Sequence, residues 1–80
     1  MRNSAHRQRI MAVAKVRDIL KMLRGDGWWL DRQAGSHRQF RHAVKKGTVT
    51  VNGHDAETLP HWLVGGILRQ AGLTKEDLAK

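Results

Sequence analysis

A short turn between two strand-like runs is the feature that most constrains the fold of this chain. Residues 28–33 (WWLDRQ) and 38–44 (RQFRHAV) have the length and aromatic content of β-strands, and residues 34–37 (AGSH) lie between them. A third run at residues 48–51 (TVTV) alternates β-branched residues and follows the turn signal at 45–47 (KKG). Because these connections are short, the simplest pairing is an antiparallel meander of three strands.

An amphipathic helix is predicted on each side of these strands. The first covers about Val13 to Arg24, because apolar residues recur there at helical spacing and glycines follow. The second begins near Pro60, a residue that suits the first turn of a helix, and ends at Gly72. Thr74 is followed by acidic residues, which predicts the N-cap of a short final helix. The apolar positions that define the first two helices are Ala12, Val13, Val16, Ile19, Leu20 and Leu23, and then Leu63, Val64, Ile67, Leu68 and Ala71.

The order helix, three antiparallel strands, helix predicts an α+β fold of the double-stranded-RNA-binding-domain type (α-β-β-β-α). Both helices can cover one face of the sheet, which leaves the other face open to solvent. We expect residues 13–80 to form this single domain and residues 1–12 to form a basic N-terminal extension. The extension is either a solvated terminus or an additional arm that binds phosphate.

The composition predicts a polyanionic partner. The 80 residues carry a formal net charge of +8, with a pI of about 11.2, which favours RNA, DNA or an acidic protein as the partner. The chain has no cysteine, so a disulfide framework and a zinc–thiolate site are excluded. No apolar run is long enough to span a membrane, and the N-terminus lacks the apolar core of a signal peptide. We therefore expect a cytoplasmic protein without membrane contact.

The alternation of side chains along the second strand places one histidine on the open face of the sheet. If Phe40 points into the core, Arg38 and His42 share its side, and the opposite side carries His37, Gln39 and Arg41. An imidazole is the side chain best suited to take or give a proton near pH 7, and a neighbouring guanidinium can stabilise charge that develops on a phosphate. His37 is therefore the candidate for proton transfer.

The other histidines receive different interpretations. His42 is predicted to have a structural role at the end of its strand, and His6, His54 and His61 to be exposed residues without a function. No two histidines stand four residues apart on one helix face, and no acidic cluster accompanies them, so neither a metal nor another cofactor is expected.

Several polar residues around His37 are candidates for binding the substrate. Arg38 is the doubtful cation, because the alternation places it on the core side of the sheet. Ser36 has an alternative role in ordinary turn chemistry. The substrate-binding candidates are Arg32, Ser36, Gln39, Arg41, Lys45 and Lys46.

Residues 15–73 resemble the HicA family, the toxins of bacterial HicAB toxin–antitoxin pairs. The resemblance rests on Gly27-Trp28, on Arg32-Gln33-x-Gly35-Ser36-His37, on residues 46–51 (KGTVTV), and on a proline-started helix that ends with residues 67–73 (ILRQAGL). It implies a double-stranded-RNA-binding-like fold and endoribonuclease activity against mRNA, with His37 as the catalytic residue. It also implies a HicB-type antitoxin that binds the toxin and blocks its site.

One alternative function stays open beside this resemblance. A non-catalytic module that recognises double-stranded RNA by its shape would also explain the charge and the fold.

Trp62 lies off the apolar stripe of its helix, beside Gly65 and Gly66. It could dock the antitoxin or a second copy of the chain, giving a hetero-oligomer or a homodimer, or it could be covered by the tail at residues 73–78.

Overall fold

The computed structural model describes residues 13–79, and their order of elements confirms the predicted α-β-β-β-α arrangement with a short C-terminal helix. The predicted basic extension at residues 1–12, and His6 within it, lie outside the described residues. Two short strands that the sequence did not predict accompany the main elements. The elements are β1 (Ala14–Lys15), α1 (Val16–Gly25), β2 (Trp28–Ala34), β3 (His37–His42), β4 (Val49–Asn52), β5 (Thr58–Leu59), α2 (His61–Ala71) and α3 (Lys75–Leu78).

Helices α1 and α2 pack on one face of the antiparallel sheet β2-β3-β4. The sheet contributes the buried Trp28, Phe40, Val49 and Val51 to a single apolar cluster. The helices contribute Val16, Ile19, Leu20, Met22, Leu23, Val64, Ile67, Leu68 and Ala71. None of the described elements covers the opposite face of the sheet, as the sequence predicted. Within residues 13–79, no helix is both long and apolar enough to cross a membrane.

Helix α1 begins three residues later than predicted. Ala14 and Lys15 pair with strand β5 instead of joining the helix. The backbone N–H groups of Val16 and Arg17 then donate to carbonyl oxygens of Glu57 and Asp55, at 2.9 and 3.0 Å. These bonds satisfy donors that the first turn of a helix cannot satisfy internally. The partners lie about forty residues along the chain, so the local pattern could not reveal them.

The apolar stripes of both helices were predicted slightly too wide. Val13 is 59% exposed because it precedes the helix, and Leu63 is 39% exposed at the start of α2. Of the alternatives for Trp62, coverage by the C-terminal tail is wrong, because Trp62 is 64% exposed. Leu73 and Leu78 of the tail pack against the core instead, and α3 lies beside α1. Thr74 donates its N–H to the Asp77 carboxylate at 2.8 Å, which confirms the predicted cap.

A β-bulge in β2 changes which side chains face the core. Leu30 pairs with the buried Phe40, whereas Arg32 pairs with Gln39, so Asp31 is the extra residue between two registers. Strict alternation from Trp28 would place Arg32 on the core face. The bulge moves it to the open face instead.

Candidate functional site

The uncovered side of the three-stranded sheet, hereafter the open face, carries the predicted site. Residues that pair directly across antiparallel strands share a face, so the register identifies the members of this surface. The open face consists of Trp29, Arg32 and Ala34 from β2, His37, Gln39 and Arg41 from β3, and Thr50 and Asn52 from β4. All eight residues are exposed.

The hairpin turn that precedes His37 is held at several points. Gly35 has a φ of +60°, which primed two-residue hairpin turns require at this position and which glycine adopts without steric cost. The Gln33 side-chain amide donates to the Gly35 carbonyl at 2.9 Å. The Gly53 backbone N–H donates to the Ser36 carbonyl at 3.2 Å and so joins the turn to the end of β4. The backbone that carries His37 is therefore fixed on both sides.

The side chain of His37, in contrast, is exposed. Its direct cross-strand neighbours are Ala34 on β2 and Asn52 on β4. Among residues 13–79, no partner forms a hydrogen bond with the His37 ring. Both ring nitrogens are available to exchange a proton with a molecule that lies on the open face.

The structure places four of the six predicted substrate-binding residues on the open face or in the turn before His37. Gln39 is the next residue of β3 on the same face, and Arg32 lies directly opposite Gln39 because of the bulge. Ser36 is half-buried in the turn beside His37. Arg41 is exposed further along β3, at about 13 Å from His37 for a strand rise of about 3.3 Å per residue.

Lys45 and Lys46 lie beyond the other end of β3, away from His37. The Lys45 ammonium donates to the Asp26 carboxylate at 2.6 Å and to the Ala71 carbonyl at 2.9 Å. The same carboxylate accepts the Trp28 indole N–H at 3.2 Å. Lys45 thus links the ends of α1 and α2, and its ammonium group is engaged within the domain and does not belong to the open face. Lys46 is exposed in the loop between β3 and β4.

The ring of His42 is engaged on both nitrogens, in agreement with its predicted structural role. Its Nε2 lies 2.6 Å from the Asp26 carbonyl oxygen, and its Nδ1 accepts the backbone N–H groups of Val44 and Lys45, each at 3.0 Å. Because Nδ1 accepts two hydrogen bonds, the proton of the neutral ring belongs on Nε2. The ring also packs edge-on against Trp28, with centroids 5.1 Å apart. His42 therefore connects α1, β2 and the loop after β3.

Arg38 lies on the core side of β3, where the alternation placed it. Its guanidinium donates to the Gly53 carbonyl at 3.1 Å and to the Asp55 carboxylate at 2.9 Å. These bonds hold the loop whose backbone carbonyl groups accept the first N–H groups of α1. Arg38 is thus occupied within the domain.

Three polar or aromatic residues of the open face were not singled out from the sequence. Thr50 and Asn52 follow from the register of β4 against β3, since the buried Val49 and Val51 point the other way. Trp29 could have been separated from the buried Trp28 by the alternation alone. In the part of the chain that is described, no group of three or more His, Cys, Asp or Glu side chains lies close enough to hold a metal ion.

The fold and this surface define a small, basic α+β domain that presents a histidine and several hydrogen-bonding groups on an uncovered sheet. A family model for the HicA toxin of bacterial toxin–antitoxin systems matches residues 16–73. The chain belongs to the HicA toxin family, and it is therefore a toxin component of a bacterial toxin–antitoxin system. A comparison with curated proteins gives no match.

Proposed function

We propose that this toxin is an endoribonuclease that cleaves mRNA without a metal ion, with His37 as its catalytic residue. The observation that carries the proposal is the exposed imidazole of His37 on the open face, directly after a turn that is fixed by hydrogen bonds, with the exposed guanidinium groups of Arg32 and Arg41 on the same face. The family supports a toxin, and the net charge of +8 supports a polyanionic substrate.

The reaction is an attack of an RNA 2′-hydroxyl on the adjacent phosphorus. The new 2′-O–P bond forms as the P–O5′ bond breaks, which leaves a 2′,3′-cyclic phosphate on one product and a 5′-hydroxyl on the other. His37 either accepts the proton of the 2′-hydroxyl or donates a proton to the leaving 5′-oxygen. Arg32 and Gln39 are placed to bind the phosphate as its charge develops, and Ser36, Arg41 and Lys46 to bind neighbouring parts of the strand.

The antitoxin partner is a HicB-type protein in this proposal. It would inhibit the toxin in the cytoplasm by covering the open face, because any protein bound there would exclude the RNA from His37.

The test incubates a single-stranded RNA of mixed sequence with the wild-type chain in EDTA. We expect cleavage to a 2′,3′-cyclic phosphate, and we expect a DNA of the same sequence to stay intact because it has no 2′-hydroxyl. A His37→Ala variant with the wild-type melting temperature should be inactive. Activity that disappears in EDTA and returns with Mg²⁺ would refute the metal-free step, and RNA binding without any cleavage would leave a non-catalytic binding module.

A further inference from the structure

Trp29 is an exposed aromatic residue on the same surface as His37. Its side chain is 51% exposed, whereas the adjacent Trp28 is 2% exposed and belongs to the core. Single exposed apolar residues are common on protein surfaces, so exposure alone does not imply a function. The position of Trp29 is what distinguishes it.

The other large apolar residues that are exposed among residues 13–79 lie away from the open face. Leu30 pairs with Phe40 and therefore points to the core side at the edge of the sheet. Val13 precedes β1, Val44 follows β3, and Trp62 and Leu63 belong to α2. Trp29 is the large apolar residue that the sheet register places on the face of His37.

The charge around Trp29 favours RNA over a protein as its ligand. Arg41 is directly opposite Trp29 across the β2–β3 pair, and Arg32 is the next member of the open face along β2. Side chains directly opposite in an antiparallel pair have Cβ atoms about 5 Å apart. An exposed indole with a guanidinium at this distance is the combination by which proteins hold single-stranded nucleic acid: a base stacks on the aromatic ring, and the cation binds the backbone beside it.

We propose that Trp29 and Arg41 form a base-stacking subsite for the single-stranded RNA substrate. This inference rests on the proposed ribonuclease function. Arg41 and Trp29 lie about 13 Å from His37 along the sheet, so the stacked base belongs to a nearby nucleotide rather than to the nucleotide that is attacked. Trp29 is thus a positioning residue: it holds the strand so that one phosphate meets His37. Every base has a π face, so the subsite accepts all four bases and contributes affinity more than sequence preference.

The experiment uses the full chain and a single-stranded RNA oligonucleotide whose cleaved bond has been mapped. A set of otherwise identical oligonucleotides each carries one abasic nucleotide, moved position by position around that bond. For the wild type, we expect kcat/KM to fall by about 5- to 140-fold at one position, the range that corresponds to the loss of one base–aromatic stack.

The Trp29→Ala variant should show the same loss on the intact oligonucleotide and no further loss at that abasic position. Trp29→Phe should recover most of the activity, because a smaller aromatic ring still stacks. Trp62→Ala is the matched control: it removes an exposed tryptophan from α2, and it should cleave as the wild type does. Melting temperatures of all variants should match the wild type, because both side chains are exposed.

The possible results separate this inference from the proposed function. Equal cleavage of intact and abasic RNA by Trp29→Ala and the wild type would overturn the subsite and leave the ribonuclease standing. If the wild type cleaves no RNA, the proposed function fails, and the subsite is then tested by affinity for the same uncleaved oligonucleotides. Normal cleavage by Trp29→Ala with loss of binding to the antitoxin would overturn the RNA subsite and assign Trp29 to a protein interface.

Discussion

His37 and His42 stand at opposite ends of strand β3 and face opposite sides of the same sheet. The ring of His42 contacts the Asp26 carbonyl and two backbone N–H groups and packs against Trp28. The ring of His37 is exposed on a fixed backbone, with no hydrogen-bond partner in the part of the chain that is described. One ring uses its polar atoms to join elements of the fold, and the other leaves them free for a ligand. Side-chain partners, rather than residue type, separate the structural histidine from the candidate catalytic one.

Replacing His37 should give the largest change in activity. General acid–base catalysis by one side chain contributes about 10²–10⁴-fold, so RNA cleavage by His37→Ala should fall by about 100-fold or more. The free energy of unfolding should change by less than about 0.5 kcal/mol, because the ring is exposed and makes no hydrogen bond with another residue of 13–79. Gel-based cleavage and chemical denaturation measure the two quantities. A strongly destabilised His37→Ala protein would remove the contrast between the two histidines.

Replacing His42 should give the opposite result. His42→Ala leaves the Asp26 carbonyl and the N–H groups of Val44 and Lys45 without their partner, and it removes the ring packed on Trp28. We expect a loss of about 2–3 kcal/mol in the free energy of unfolding. Cleavage per folded molecule, measured well below the melting temperature, should stay close to the wild-type value. An inactive but fully stable His42→Ala protein would contradict this expectation, because it would place the chemistry at the His42 end of β3.

The turn before His37 should be sensitive to the loss of a glycine. Gly35→Ala has open space for its Cβ, but the left-handed backbone costs a non-glycine residue about 1–2 kcal/mol. We also expect slower cleavage, because His37 follows directly after the turn. Gly66→Ala is the matched control, since Gly66 also has open space and lies in helix α2. This control should be stabilised by up to about 1 kcal/mol. Equal stability of the two variants would show that the turn does not need its positive φ.

Replacing either of the adjacent residues Lys45 and Lys46 should give the smallest effects. The two substitutions should differ in whether they change stability or RNA affinity. Lys45→Met breaks a half-buried ion pair with Asp26 and should lower the free energy of unfolding by about 1 kcal/mol. Lys46→Met should leave stability unchanged but reduce RNA affinity, with a shallower salt dependence by about 0.7 in the slope of log K against log salt. Equal effects of the two substitutions on RNA affinity would restore Lys45 to the RNA-binding surface.

The parts of the fold and site that depend on local patterns could be predicted from the sequence. The alternation around Phe40 correctly divided β3 between the core and the open face, and the helical spacing identified Val16, Ile19, Leu20 and Leu23 as core residues. Features that depend on distant partners could not be predicted. They include the pairing of β1 with β5 and the engagement of Lys45 by Asp26 and the end of α2. A run of cations in a sequence does not reveal which of them meets a carboxylate in the fold.

The bulge at Asp31 has a consequence for how this toxin can change over evolutionary time. In a regular strand, every second side chain points to the same face of the sheet. The face of one residue therefore fixes the face of all the others. Here the first half of β2 points Trp28 and Leu30 to the core side, where Leu30 stays partly exposed at the sheet edge, and the second half places Arg32 and Ala34 on the open face. The conformation at Asp31 therefore decides which face Arg32 and Ala34 occupy. If Asp31 paired in regular register instead, Arg32 and Ala34 would turn toward the core, so a toxin of this kind could lose this surface without losing any of the residues that compose it.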